Sequence, residues 1–424
     1  MKWLKFLVFF LLLPLAACSS HCTTCDKNRN SVPEYMKPEI MVLNVSTDGN
    51  YAVSSDLYQH IVLWNLKDKT YKIVAKNANV YSAYFIKNSD NFMYQSNKDN
   101  EVYVENVNDQ IVKTFNPGFT TYGQAITSNL NFYIGIDDED QIFTINNGIK
   151  TQLLWHYCGP AYKNEGSPPP AGKPSVCGSF MGDGKLSNIT ISPDEKYFVT
   201  SDSSEFYIWN IQSNTLQKYV QKNVEQTFAT ISPDGQFVLS SGYGLFLFSL
   251  PTGQFLTKIN TYYNPATGQS FDTNNPFQTG DLAPNNNIGD PIVIKFIDQT
   301  HYLAIFDMDN DIMQGGFHYA GLFELGQDKA LKYLDLLAPK QDFNQYNTDA
   351  TWNLRNYYAS TYPVTQSYVR DEAIDTSPSA HVLVIAQQNN NGILVYQYDP
   401  TTQTLKQVWA PAIPKPHWWE FWKN

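Results

Sequence analysis

The most reactive side chains in this chain belong to its five cysteines, Cys18, Cys22, Cys25, Cys158 and Cys177. Cys18 closes a distinctive run. Lys2 and Lys5 give a positive start, Phe6 to Leu13 are unbroken apolar residues, Pro14 interrupts them, and Leu15-Ala16-Ala17 lead into the thiol. The apolar stretch falls well short of the ~20 residues that a helix needs to span a bilayer. A basic start, a short apolar middle and small residues at a cut site predict a removable export signal. Cleavage before Cys18 and cleavage at a neighbouring small residue both satisfy that pattern.

The other four thiols suit an oxidising compartment. An odd cysteine count is awkward in an exported chain unless one thiol is otherwise used, and setting Cys18 aside leaves two pairs. Cys158 and Cys177 bracket a Pro/Gly-rich stretch, where a disulfide would restrain a floppy loop. Cys22-Thr23-Thr24-Cys25 could close on itself. It is at most half of a structural zinc site, because such sites take four ligands and no second pair of this spacing exists. It also lacks the βαβ setting of a thioredoxin-like redox pair.

Leu15-Ala16-Ala17-Cys18 closely resembles the lipobox of bacterial lipoproteins. The resemblance implies diacylation of the Cys18 thiol, cleavage before it and acylation of the new amine. Each chain would bury roughly 0.8 kcal/mol per CH2, so three chains anchor where one would not. Ser19 stands where an Asp would resemble an inner-membrane retention signal. The resemblance therefore implies an outer-membrane lipoprotein facing the periplasm, with surface exposure left open.

Elsewhere the candidates are weaker. Asp307-Met308-Asp309-Asn310-Asp311 alternates carboxylates that could offer hard oxygen ligands to calcium. An EF-hand-type loop needs Gly at its sixth place and Glu at its twelfth, and Ile312 and His318 stand there instead. An acidic turn between two strands explains Asp307, Asp309 and Asp311 as well, and explains Asp137-Asp138-Glu139-Asp140 in the same way. No Gly-x-Ser-x-Gly, His-Glu-x-x-His or phosphate-binding loop is present, and the seven His lie singly. The expectation is a non-enzyme without a cofactor. At the other end, Pro411 to Pro416 form a stiff extended tail carrying Trp418, Trp419, Phe421 and Trp422. Such a cluster is costly to leave in water. It would pack back on the protein, sit at a lipid interface or anchor a partner.

The elements that must position these residues are strands. Tyr (28) and Phe (25) are abundant and charged residues make up only 16 % of the chain, a balance that favours strands joined by turns. The net charge of −11 argues against a nucleic-acid partner, which needs a basic surface to displace counterions. Without residues 1–17 about 400 residues remain, enough for several domains or one large repeat domain. Internal similarity at roughly 40 residues decides for the repeat. Val45-Ser46-Thr47-Asp48-Gly49 leads to Ile61-Val62-Leu63-Trp64-Asn65. Ile191-Ser192-Pro193-Asp194-Glu195 leads to Phe206-Tyr207-Ile208-Trp209-Asn210, and Ile231-Ser232-Pro233-Asp234-Gly235 leads to Leu245-Phe246-Leu247-Phe248. Pro presets φ for the turn, Asp caps it and Gly accepts φ above zero. A fourth strand follows each unit, and four strands make a propeller blade.

These units resemble WD40-like repeats, with Trp64-Asn65 and Trp209-Asn210 where that family has Trp-Asp. The family's Gly-His pair is missing, so its buried Asp-His-Ser-Trp network does not carry over. The resemblance implies an all-β chain with a single β-propeller, most simply of seven blades, with six or eight open if residues 330–370 conceal a blade or a unit is overcalled. Three long inserts interrupt the period, at about 157–185, 262–290 and 330–370, and are expected to shape one face. The expected organisation is a signal at 1–17, a lipidated tether at 18–36, the propeller at 37–410 and the tail at 411–424. The expected role is a lipid-anchored scaffold for an envelope protein, such as a subunit of outer-membrane assembly or secretion machinery. The alternatives are a lactonase-, hydrolase- or quinoprotein-type enzyme with a channel site, and a glycan or peptide binder using the aromatic inserts.

Overall fold

Alternating burial shapes every unit. In the first, Tyr51–Asp56 is buried along nearly its whole length, Ile61–Asn65 likewise, while Thr70–Ala75 is largely exposed. Strands covered on both faces lie inside a stack of sheets, and the exposed strand is an outer edge. A computed structural model describes residues 40–137, 141–153, 188–201, 205–221, 228–242, 244–259, 263–264, 269–270, 290–307, 317–334, 365–366, 373–387 and 391–413. Among them are seven antiparallel sheets whose four consecutive strands pair in chain order, arranged in a ring. This is a seven-bladed β-propeller.

Blade one comprises Ile40–Val45, Tyr51–Asp56, Ile61–Asn65 and Thr70–Ala75, counted from the inner strand outward. Blades two to five begin at Tyr84, Gly123, Asn188 and Ala229. Blade six comprises Asp290–Phe296, His301–Asp307, Phe317–Glu324 and Ala330–Leu334. Blade seven comprises Ile374–Ser377, Val382–Ala386, Asn391–Asp399 and Thr404–Trp409. The described residues of the stretch 330–370 form no further blade. Its first five residues are the outer strand of blade six, and Thr365–Gln366 adds two residues beside Phe317 and His318. Ala412–Ile413 pairs with Gly392 and Asn391, extending blade seven slightly past Trp409.

The repeated turn has the geometry its sequence promises. Ser46, Ser192 and Ser232 each donate to the Asp two residues on and accept from the backbone N–H five residues on, at Tyr51, Tyr197 and Phe237. Gly49 and Gly235 adopt φ of 69° and 71° at the fourth place, and Glu195 is held at 54° there. Of the WD40-type network, the indole-to-hydroxyl link is present: Trp64 Nε1 donates to Ser54 Oγ at 2.9 Å and Trp209 Nε1 to Thr200 Oγ1 at 3.1 Å. All seven outer strands carry a lysine (72, 113, 150, 218, 258, 332 and 406), a charge that discourages edge-to-edge pairing of exposed strands.

Because each blade uses consecutive strands, the first and last exchange none, and the ring closes by packing. A cluster shared by blades one and seven joins Leu43, Val45, Val62 and Trp64 to Ala373, Val384, Ile393 and Val395. At the same junction Ser377 Oγ and Ser379 Oγ donate to Thr47 O. A Cβ on Gly49 would stand 2.4 Å from Ala380 Cβ. Gly49→Ala is therefore expected to lower stability by roughly 1–3 kcal/mol, from left-handed backbone strain and overpacking together. Urea denaturation would measure the loss. Gly326→Ala, also at positive φ but with nothing within 4 Å of its Cβ, should lose only the backbone part.

Candidate functional site

Strand direction sorts the connections onto two faces. Every inner strand runs the same way, so the first-to-second and third-to-fourth links of each blade share one end of the ring. These are short turns such as Ser46–Asn50 and Leu66–Lys69. The links from second to third strand, and from each outer strand to the next blade, emerge at the opposite end. All three long inserts are of this last kind: 154–187 follows the outer strand of blade three, 260–289 that of blade five, and 335–372 that of blade six. The first described strand begins at this end, with Ile40, and the last described segment leaves toward it. We call the two ends the turn face and the insert face.

The central channel differs between its ends. Near the turn face, inner-strand side chains bridge neighbouring blades. Asn44 Nδ2 and Val45 N both donate to Asp375 Oδ2 at 2.8 Å, and Asn44 Oδ1 accepts from Phe85 N at 2.7 Å. Lys295 Nζ lies 3.9 Å from Asp375 Oδ1. Asn44, Lys295 and Asp375 hold corresponding places in their strands, each one residue before the partner of the second strand's second residue. A polar chain thus runs from blade six through seven and one to two. Lys87, in the first turn of blade two, passes blade three and donates to Ile191 O of blade four at 3.4 Å. Burial pushes the Lys87 ammonium below its ordinary pKa, opposed by the charges of Glu195 and Asp194. At the insert face Tyr81 and Tyr122, which precede two inner strands, stack with centroids 5.2 Å apart, and Tyr122 is 46 % exposed.

A second polar group lies between blades one and two. Glu105 takes the place that Trp64 and Trp209 hold in their own blades, paired across from Phe92. Its carboxylate accepts from Tyr94 OH at 3.2 Å. Burial raises its pKa, opposed by the Tyr94 bond and the Lys72 charge. Burial and the Glu105 charge likewise push the Tyr94 hydroxyl upward. The folded state therefore binds this proton more tightly than the unfolded chain does. Its penalty appears as pH rises through the ordinary Glu range and is complete above the raised value. Glu105→Gln keeps an acceptor for Tyr94 and should melt higher than the parent at pH 7, with the difference vanishing below about pH 4. Thermal melts across that range test it.

The residues singled out from the sequence are only partly in view. Cys18, Cys22, Cys25, Cys158, Cys177, Asp309, Asp311, Trp418, Trp419, Phe421 and Trp422 lie outside the described residues. Asp307 ends the second strand of blade six. Asp137 caps its own turn, accepting from Gln141 N at 2.8 Å. Among the described side chains, no group of three or more His, Cys, Asp or Glu is suited to holding a metal. Asn44, Lys295, Asp375 and Glu105 were not anticipated. The signal for Glu105 is a carboxylate at a position that is apolar or aromatic in the sister blades. That for the other three is an amide or charged residue recurring at one inner-strand position. Both are visible only once the blades are aligned.

No protein-family model matches the chain, and no curated protein matches it. Among solved structures it is similar to the β-propeller domain of Cps50 (Swd1) from Myceliophteria thermophila. The TM-score is 0.55 at 10 % identity, covering 86 % of this chain and 98 % of that one. At that identity the likeness concerns the fold alone.

Proposed function

We propose that this protein is a lipid-anchored, periplasm-facing propeller that serves as an interaction scaffold in the cell envelope, as a subunit of an outer-membrane assembly or secretion complex would. The observation that carries the reading is the lopsided connectivity. The strand ends that flank the three long inserts, and both ends of the described chain, all lie at one face, while the other bears short turns. Loops on a rigid scaffold are where binding residues concentrate, and a ring of stacked blades is such a scaffold. The export-signal pattern and the lipobox-like Leu15 to Cys18 support the anchor. The Trp-rich tail supplies aromatic anchors of the kind that dominate interfaces.

Two measurements test it. Intact-mass analysis of membrane-extracted protein should find acyl chains on Cys18, and Cys18→Ala should release the protein into the soluble fraction. Purification of the anchored protein with its native companions should recover a partner in fixed stoichiometry. Removal of residues 414–424, beyond the short strand Ala412–Ile413, should weaken that association while leaving the melting temperature unchanged. A monomer with hydrolytic turnover would overturn the scaffold. A glycan or peptide ligand is favoured by one observation, the half-exposed Tyr81–Tyr122 stack at the channel mouth. Tyr122→Ala would then abolish binding of soluble glycan fragments or peptides.

A further inference from the structure

Two tyrosines are paired at the insert face where the fold does not require them. Tyr81 and Tyr122 each lie five residues before the position that opens a first turn, Ile86 and Thr127, whose N–H groups donate to Asn91 O and Phe132 O. They are therefore equivalent residues of adjacent blades. The corresponding residue of blade one is Met41, five before Ser46, and it is buried. In blades two and three this position instead yields a stacked pair, its planes 25° apart, with Tyr122 half-exposed. Leaving that apolar area in water costs stability.

A buried polar network fixes the pair. Asn79 Oδ1 accepts from Tyr81 N at 3.0 Å, and Asn79 Nδ2 donates to Thr121 O at 2.6 Å. Gln95 Oε1 accepts from both Thr121 N and Thr121 Oγ1, while Gln95 Nε2 donates to Phe119 O at 2.7 Å. Asn79, Gln95 and Thr121 are all buried. Two amides thus tie Tyr81 to the residue preceding Tyr122, across the boundary between blades two and three. A platform held in this way loses little freedom when it binds.

Charge selects the ligand. Gln95 Nε2, which bonds Phe119 O, also donates to Asn100 O in the link after the second strand of blade two, at 3.3 Å. Tyr122 N donates to Ile136 O, one residue before the corresponding link of blade three. The sequence of these two links, 96–101 and 137–141, holds Asp99, Glu101, Asp137, Asp138, Glu139 and Asp140 against one base, Lys98. An aromatic face in an acidic setting attracts a cation twice, through the ring quadrupole and through net charge. The linker that carries Tyr122 shows such a contact within the protein: Lys150 Nζ lies 4.5 Å from the Phe119 centroid. A neutral sugar would gain nothing from the charge. We propose that the Tyr81–Tyr122 platform binds a lysine or arginine side chain presented by an extended segment of a partner protein. This rests on the reading of the pair as a ligand platform and names the chemistry of what it takes.

The test is saturation-transfer NMR on the full chain with three probes: the peptide Gly-Ser-Arg-Ser-Gly, the same peptide with citrulline for arginine, and chitotriose. Citrulline keeps the shape of the side chain and removes its charge. The arginine peptide should bind saturably, with transfer strongest on its arginine methylenes, and should weaken as salt is raised. The citrulline peptide should bind at least about threefold more weakly. Tyr122→Leu, apolar but not aromatic, should abolish binding, whereas Tyr122→Phe should keep it; thermal melts show that both variants fold. Equal binding of the two peptides, or arginine binding that survives Tyr122→Leu, would overturn the cation assignment. Chitotriose bound through Tyr122 in place of the peptides would overturn it while leaving the platform standing. No saturable binding of any probe would overturn both.

Discussion

Trp64→Ala is expected to remove about 3–5 kcal/mol of folding stability, by opening the junction between the first and last blades. Trp64 is fully buried in the cluster that spans this junction. Its ring meets Trp409 of blade seven edge-on, with centroids 6.3 Å apart and planes at 77°, and lies 5.3 Å from Tyr71. Deletion leaves a cavity bordered by two blades, strands Ser54 Oγ without its indole donor, and removes aromatic pairs worth about 0.5–1.5 kcal/mol beyond their area. Trp209 provides the internal comparison. It is as deeply buried, bonds to Thr200 and stacks on Phe198 at 5.8 Å, but sits within the ring's continuous run of blades. Both alanine variants should lose comparable stability in urea. Only Trp64→Ala should make both chain ends prone to proteolysis before global unfolding. A loss under about 1 kcal/mol, or identical cleavage patterns in the two variants, would show that the junction has no special dependence on this ring.

The propeller was legible in the sequence because its inner three strands are set by local chemistry. A hydroxyl, an Asp and a positive-φ residue at fixed spacing make the turn, and an apolar run makes the buried strand after it. Outer strands lack that signature. Ala330–Leu334 reads as the start of an insert because an edge strand needs no apolar face, and no turn of the repeated kind follows it before Ser377. The ring's polar contacts were illegible for another reason. Asn44 resembles any polar residue near a turn until blade seven delivers Asp375 to it from 331 positions away. Glu105 likewise becomes distinctive only because Lys72 of the preceding blade approaches it.

Asp375→Ala should cost roughly 2–4 kcal/mol, since it leaves two buried or half-buried donors without an acceptor at about 1–3 kcal/mol each. The donors are Asn44 Nδ2 and Val45 N, both on the inner strand of blade one. This one carboxylate therefore ties the last blade to the first where no strand is exchanged. Lys295 of blade six would lose this contact as well. Asp375→Asn separates the two contributions. Its amide oxygen can stand where Oδ2 does and accept from both donors while the charge facing Lys295 is gone, so it should lose less than half of what alanine loses. A double-mutant cycle with Asn44→Ala should give a coupling of about 0.5–3 kcal/mol, as for residues sharing one hydrogen-bond network. Additive losses in that cycle would mean that the apolar cluster alone holds the ring shut. Strong coupling would mean that closure is specified by the one carboxylate at this inner-strand position, and that register between first and last blade is fixed by hydrogen bonds rather than by packing.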